Sequence, residues 1–373
     1  VTWSEMAGLH PDTDWAHWLR EVGAASSGDG IGFGTSWEDD LAQLGEVGFD
    51  EFVVTLEWAV LEPQPGHYDA EAVERFQTLL QQARARGMQP WACLVDGSLP
   101  GWFAVDEHGF VDDRSRKLLW PRHVEWIGET FGHLVNGWVP QREAIHQAVR
   151  SHLLGLGPPG LRLPDRTGKA VRAALLADGE AWRVLRGSAP VASYQTARTF
   201  VPMTDNVAAA RHAADLDDLY RARWVEALEQ GIVEFDGLPT VSAPHLRGAF
   251  DRVVLQLRPP VSIDAEGNWA PLDRRYLIEA MADSFATAAA HVPDTHLVAA
   301  ADLAPVEATL DDPDSSAQTE HLLELMEATR ERGAHTWWQT SPFDGWSWER
   351  GFDGRPGIID ANRKPRNVAD VFR

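Results

Sequence analysis

Redox, metal and phosphate chemistry each leave a residue signature, and each signature can be sought along these 373 residues. The single cysteine, Cys93 in "QPWACLV", cannot form an intramolecular disulfide or a cysteine-rich metal site, and it fits a reducing, cytoplasmic setting. The 14 histidines are scattered, with no H-E-x-x-H or comparable ligand spacing, so no metal and no cofactor is expected. The Gly-rich "GDGIGFG", Gly28 to Gly34, has no convincing strand before it and no ribose-binding acid after it, and reads as a flexible loop rather than a phosphate cradle. Carboxylate chemistry depends on which acids the fold gathers, and therefore on the elements that carry them.

Short β-type runs alternate with longer helical segments. "EFVVTLEW" (Glu51 to Trp58) is followed by "AEAVERFQTLLQQARARG" (Ala70 to Gly87) and "MQPWACLV" (Met88 to Val95). Val73, Phe76, Leu79, Leu80 and Ala83 fall on one helix face, and Gly87 is placed to end that helix. Further strands are expected at "NGWVPQR", "PVASYQT", "RVVLQL", "HLVAAA" and "HTWWQT", with helical segments between them. With a short first strand at Val1 to Ser4 the count reaches about eight strand-helix units. This predicts an α/β fold, a (β/α)8 TIM barrel, with its site at the carboxyl ends of the strands. No interior linker or repeat divides the chain, so residues 1–373 read as one domain.

Lys plus Arg number 33 against 56 Asp plus Glu, a net charge of −23, which repels phosphate backbones and anionic lipid. Nucleic acid and membranes are thereby excluded as partners. At 44% hydrophobic and 24% charged residues the composition is that of an ordinary globular protein. No basic-then-apolar leader and no apolar run of ~18 residues appears, so neither membrane spanning nor export is expected.

The runs "EDDLAQLGEVGFDEFVVTLEWAVLEPQPG", "ARARGMQPWACLVDGSLPGWF", "WPRHVEWIGETFGHLVNGWVPQREA", "GPPG" and "HTWWQTSPFDGWSWERGFDGRPGIID" occur in the order found in glycoside hydrolase family 1. The sequence resembles that β-glucosidase and β-galactosidase family nearly end to end. The resemblance implies the same barrel, with a small sugar-like or cyclic polyol ligand. In "WVPQREA" it puts Glu143 at the family's acid/base carboxylate and Arg142 in place of the asparagine that binds the sugar 2-hydroxyl. In "LVAAADLA" it puts Ala300 at the nucleophile, with Ala301 and Asp302 replacing asparagine and glycine. Val53 stands where an arginine belongs, Asp96 where a sugar-binding histidine belongs, Thr340 for a platform tryptophan and Ser347 for a sugar-gripping glutamate. Leu257 and Arg258 replace a tyrosine pair, and Glu5 in "WSEMAG" aligns with a sugar-binding glutamine. Trp102, Trp338, Gln339, Asp344, Trp346 and Trp348 complete the expected ligand-binding set. Trp91 and Trp337 could join the aromatic platform, and about half of these tryptophans are expected to line a cavity. Glu57, inside "TLEW", reads as a structural residue of its strand.

Retaining hydrolysis uses two carboxyl groups ~5 Å apart, one of them the nucleophile, and Ala300 cannot form a glycosyl-enzyme bond. Loss of ordinary retaining activity is the expectation. An acid/base enzyme acting through Glu143 and Asp96 in elimination, isomerisation or cyclisation is the leading reading. Inverting hydrolysis, with Glu143 as acid and Asp96, Asp302 or Glu5 as base, is a second. A non-catalytic carbohydrate-binding protein is a third. Clustered carboxylates should raise at least one pKa and supply a proton donor near neutrality, whereas ion pairing with Arg142 or Arg258 would weaken each catalytic reading.

Overall fold

The computed structural model describes residues 7–24, 28–272, 277–292, 294–303, 316–344 and 357–373. Among the described residues, seven parallel strands of the barrel wall follow one another in space as they do in sequence. β1 (Glu51–Thr55), β2 (Gln89–Val95) and β3 (Gly137–Gln141) form one run, with Val53 opposite Trp91 and Trp91 opposite Gly137. β4 (Ala192–Ala197), β5 (Arg252–Leu257), β6 (His296–Ala301) and β7 (Thr336–Gln339) form the second. Parallel bridges from Trp138 to Val191 and from Arg142 to Tyr194 join the two runs. The expected first strand at Val1 to Ser4 lies outside the described residues.

Helices connect the strands, as parallel pairing requires. They include α1 (Asp14–Val22), α2 (Phe33–Val47), α3 (Ala70–Ala85), α4 (Trp120–Phe131), α5 (Ala144–Val149) and α6 (Pro164–Leu185). After β4 come α7 (Val207–Asp217) and α8 (Arg223–Gln230), then α9 (Leu277–Ala289) and α10 (Ser316–Glu331). α3 shows why these segments are helical. Asp69 caps its first turn by accepting from the Ala72 amide at 2.9 Å, Phe76, Leu79, Leu80 and Ala83 bury one face, and Gly87 takes φ 84° just beyond the end.

Two expectations shift at their edges. The strand expected to run to Trp58 ends at Thr55, because Trp58–Leu61 already forms a helical turn. In "GDGIGFG" only the first part is a turn: Gly32 takes φ 76° and α2 begins at Phe33.

Strand alternation sends one set of side chains into the barrel: Val53, Trp91, Cys93, Val139, Ala192, Tyr194, Val254, Val298, Ala300 and Trp338. The base is closed by an aromatic and ionic stack. The Trp91 ring lies against Gly137, where a β-carbon would overlap it, and the Arg252 guanidinium covers the ring at 4.4 Å. Glu51 accepts from Arg252 at 2.8 Å and from the Trp338 indole at 2.6 Å. No described helix is long and apolar enough to cross a membrane.

Candidate functional site

The opposite end of the barrel, at the carboxyl ends of the strands, gathers the polar groups. Glu143 follows β3 and precedes α5 with φ 49° and ψ 42°, a left-handed conformation uncommon for a residue with a β-carbon. That turn lets its amide donate to Tyr194 O at 3.1 Å while its carboxylate stays 2% exposed. The carboxylate is fully engaged. Thr196 Oγ1 donates to Oε1 at 2.7 Å, and Arg258, just past β5, donates from Nε to Oε1 at 2.7 Å and from Nη2 to Oε2 at 2.5 Å. Burial alone would push this carboxyl up, but the Arg258 charge and hydrogen bonds, with lesser help from His146 and Arg142, hold it down at about 2. At neutral pH Glu143 carries no proton.

A second pair sits beside it. Arg142 donates to Asp96 at 3.1 Å, Thr55 donates to the same carboxylate at 3.4 Å, and the Arg142 guanidinium lies over the Tyr194 ring at 5.5 Å. From Tyr194 the polar chain runs across the mouth: its hydroxyl donates to Gln256 at 2.7 Å, Gln256 donates to Thr340 at 3.5 Å, and Thr340 donates to Asp302 at 2.6 Å. Ser341 donates to the same Asp302 oxygen at 2.6 Å. Below this ring is a cavity of about 90 Å³ lined by Val53, Cys93, Val139 and Trp338. As bounded by the described residues it is smaller than the ~150 Å³ of an apolar cavity that binds benzene.

Glu143, Asp96, Arg142, Arg258 and Thr340 lie at one end of the barrel, and Ala300, wholly buried, lies in register between Gln256 and Trp338. Trp338 contributes from beneath, pointing to the base through Glu51 rather than forming a platform at the mouth. The buried amide atoms of Gln339 have no hydrogen-bond partner among the described residues. Two expected ligand contacts are engaged elsewhere. Trp102 packs on Trp58 and Phe103 in an outer aromatic cluster and donates to Glu62 O at 2.9 Å. Asp344 accepts from the Gly357 amide at 3.0 Å and pairs with Arg366, tying down the C-terminal segment. Glu5, Trp346, Ser347 and Trp348 lie outside the described residues.

The proton donor expected in the cluster of Glu143, Asp96 and Glu5 is not Glu143, whose carboxyl Arg258 holds down. A raised carboxyl lies instead at Glu57, which reads from the sequence as structural: burial lifts its pKa to about 8, with Asp14 and Asp96 adding to the rise and a Ser98 hydrogen bond offsetting part of it. Thr196, Tyr194 and Gln256 join the site without a motif to announce them. Their only signal is the inward phase of Tyr194 and Thr196 on β4 and the outward displacement of polar residues to strand ends. Among the described residues no group of three or more His, Cys, Asp or Glu could hold a metal ion.

Parallel strands in sequence order, wrapped by helices and crowned by charged residues at their carboxyl ends, define a (β/α)8 TIM barrel. The chain belongs to glycosyl hydrolase family 1, whose family model matches residues 16–231, more than half of the 373. Among curated relatives, it is 25% identical over 223 residues to a β-glucosidase of Agrobacterium sp., covering 56% of this chain and 48% of that one. It is also 25% identical over 129 residues to the human cytosolic β-glucosidase, covering 34% and 27%. The matched part spans about half or less of these relatives. Solved structures agree over the whole fold: a β-glycosidase from Pyrococcus horikoshii has a TM-score of 0.86 at 18% identity, covering 100% of this chain and 91% of that one. A Thermotoga maritima β-glucosidase in complex with deoxynojirimycin has a TM-score of 0.84 at 14% identity, covering 100% and 95%.

Proposed function

We propose that this family 1 barrel binds a small, uncharged, hydroxylated ligand and does not hydrolyse glycosides by the retaining route. The observation that carries the reading is the sealing of Glu143 by Arg258. A general acid has to hold a proton at the working pH, and a carboxyl at about 2 holds none. As a base, Glu143 already accepts from Thr196 and twice from Arg258. This removes support from elimination, isomerisation or cyclisation through Glu143, and from inverting hydrolysis with Glu143 as acid. Asp96, the other expected catalytic group, is paired with Arg142. Ala300 offers no atom that could bond to an anomeric carbon.

Each of the two ion pairs at the mouth is balanced within itself, so a charged ligand would meet no unbalanced partner in them, while the half-buried Thr340 and Ser341, which donate to Asp302, present hydroxyl oxygens that can accept from a ligand. A sugar-like molecule resting above this ring, not enclosed below it, matches the small cavity. Its setting is the cytoplasm, and the acidic surface disfavours nucleic acid and membranes as partners.

The test is direct. Neither the native protein nor Ala300→Glu, with or without azide or formate, is expected to release nitrophenol from aryl β-glucosides or β-galactosides above background. Neutral monosaccharides or cyclitols are expected to raise the melting temperature. Brisk nitrophenol release, or strong rescue by Ala300→Glu alone, overturns the non-hydrolytic reading. A melting temperature indifferent to every neutral polyol overturns the binding one.

A further inference from the structure

The mouth of the barrel is held by an acid pair that the ligand-binding reading does not use. The loop from Asp96 to Gly101 is stitched to the N-terminal segment at several points. Asp14 N donates to Leu99 O at 2.9 Å, Leu99 N donates back to the Asp14 carboxylate at 3.0 Å, and Gly101 N donates to Asp12 O at 2.6 Å. The Trp15 indole donates to Gly97 O at 2.5 Å. On the other side of the same turn, Ser98 Oγ donates to Glu57 Oε1 at 2.7 Å. Glu57 is 2% exposed, and its Oε2 is buried without a hydrogen-bond partner among the described residues.

Two buried carboxyls thus grip one turn from opposite sides. Asp96 is a third acid within electrostatic reach of Glu57. Of the cations, Arg142 is paired with Asp96, and Arg150 lies over the Trp15 ring at 5.9 Å and donates to Leu156 O. From α1, the His17 ring lies against Gly101. An ionised Glu57 would leave Oε2 a bare buried charge, which costs far more than a neutral carboxyl in the same place.

We propose that Glu57 and Asp14 form a proton-operated clamp: with a proton on the pair the Asp96–Gly101 loop stays fastened to α1, and loss of that proton to solvent loosens the loop and, with it, the Asp96–Arg142 pair at the mouth. Burial raises both groups, Glu57 to about 8 and Asp14 to about 7, the latter despite hydrogen bonds from the Leu99 and Trp15 amides. The sign follows. Carboxyls raised in the folded state contribute stability that is complete below their unfolded values and is lost as pH climbs through about 7 and 8. The clamp is closed in mild acid and opens on the alkaline side of neutrality.

Glu57→Gln is the informative variant, because its amide keeps the acceptor for Ser98 and cannot ionise. Exchange of the Leu99 amide, corrected for the intrinsic pH effect, is expected to quicken by up to about tenfold per pH unit in the native protein as pH approaches the Glu57 value from below and to level off above it, and to depend less steeply on pH in Glu57→Gln, where Asp14 alone still titrates. The margin by which the variant's melting temperature exceeds the native value should grow as pH rises from the ordinary carboxyl range to about 8 and then stay constant. Equal pH dependence in the two proteins overturns the proposal. Should the variant not fold, infrared difference spectra of the native protein decide: a buried carboxyl carbonyl band that vanishes between neutrality and mild alkali upholds the clamp, and no such band overturns it. The clamp stands or falls on these readouts whether or not the mouth binds a polyol.

Discussion

Arg258→Leu is expected to cost about 3–5 kcal/mol of stability at neutral pH, because it strands the Glu143 carboxylate as an unpaired charge in a buried site. The surviving carboxyl responds by taking up a proton. Burial is the largest influence on it, and without its main counter-charge the pKa should rise from about 2 to above the ordinary 4.5. The pH dependence should change accordingly. In the native protein a depressed carboxyl supplies stability that is present above about pH 4.5 and lost as pH falls towards 2, worth about 3 kcal/mol for a shift of this size. The variant should lose that acid-side slope, which urea unfolding across the acid range would show. Glu143→Gln combined with Arg258→Leu removes both charges and should be less damaging than the two single changes added together. Strict additivity would mean that the pair does not exist in solution. Arg258→Leu also bears on function, since it turns Glu143 from a fixed anion into a potential acid, and any gained turnover with Ala300→Glu should require both substitutions.

Gly137→Ala should strike the other end of the barrel. A methyl group there has no room: the Trp91 ring occupies its place, and the ring cannot retreat because Arg252 lies on it at 4.4 Å and is anchored to Glu51. Inserting a methylene into a filled core costs ~1–3 kcal/mol, occasionally more. About 3 kcal/mol is expected here, because moving Trp91 also disturbs the Arg252–Glu51 and Trp338–Glu51 contacts. Thermal unfolding measures it, and Trp91→Leu in the same chain should return part of the loss by making room for the methyl. An unchanged melting temperature in Gly137→Ala would show that the stack is loose.

Both sites depend on contacts between distant parts of the chain, and there the reach of sequence reasoning ends. Local periodicity carries the strands well: "RVVLQL" and "HLVAAA" coincide with β5 and β6, since an apolar run bounded by polar residues has little freedom to end elsewhere. α1 escapes it, although Thr13 and Gly23 cap that helix, because Trp15, Ala16 and Leu19 make too short an apolar stripe in nine residues to stand out. The mouth is legible in the sequence as a set of positions, through the family resemblance. Its chemistry is not, because the partners are remote: Arg258 lies 115 residues from Glu143, and Trp338 lies 287 from the Glu51 that turns its indole to the base. No window along a chain contains such a pair. Asp344 reads as a ligand contact for the same reason, with Arg366 arriving 22 residues later to engage it.

Cys93 lines the cavity inside the barrel, 1% exposed, and is the one cysteine of the chain. Burial pushes its thiol well above the ordinary value, Asp96 adds to the rise, and its Sγ faces Val95 O at 3.3 Å. Such a thiol reacts only when the strands part. The chain therefore contains its own stopwatch: the rate at which an uncharged alkylating reagent consumes Cys93 times the breathing of the barrel, free of competing thiols, and a tight ligand at the mouth would slow it without any label being introduced.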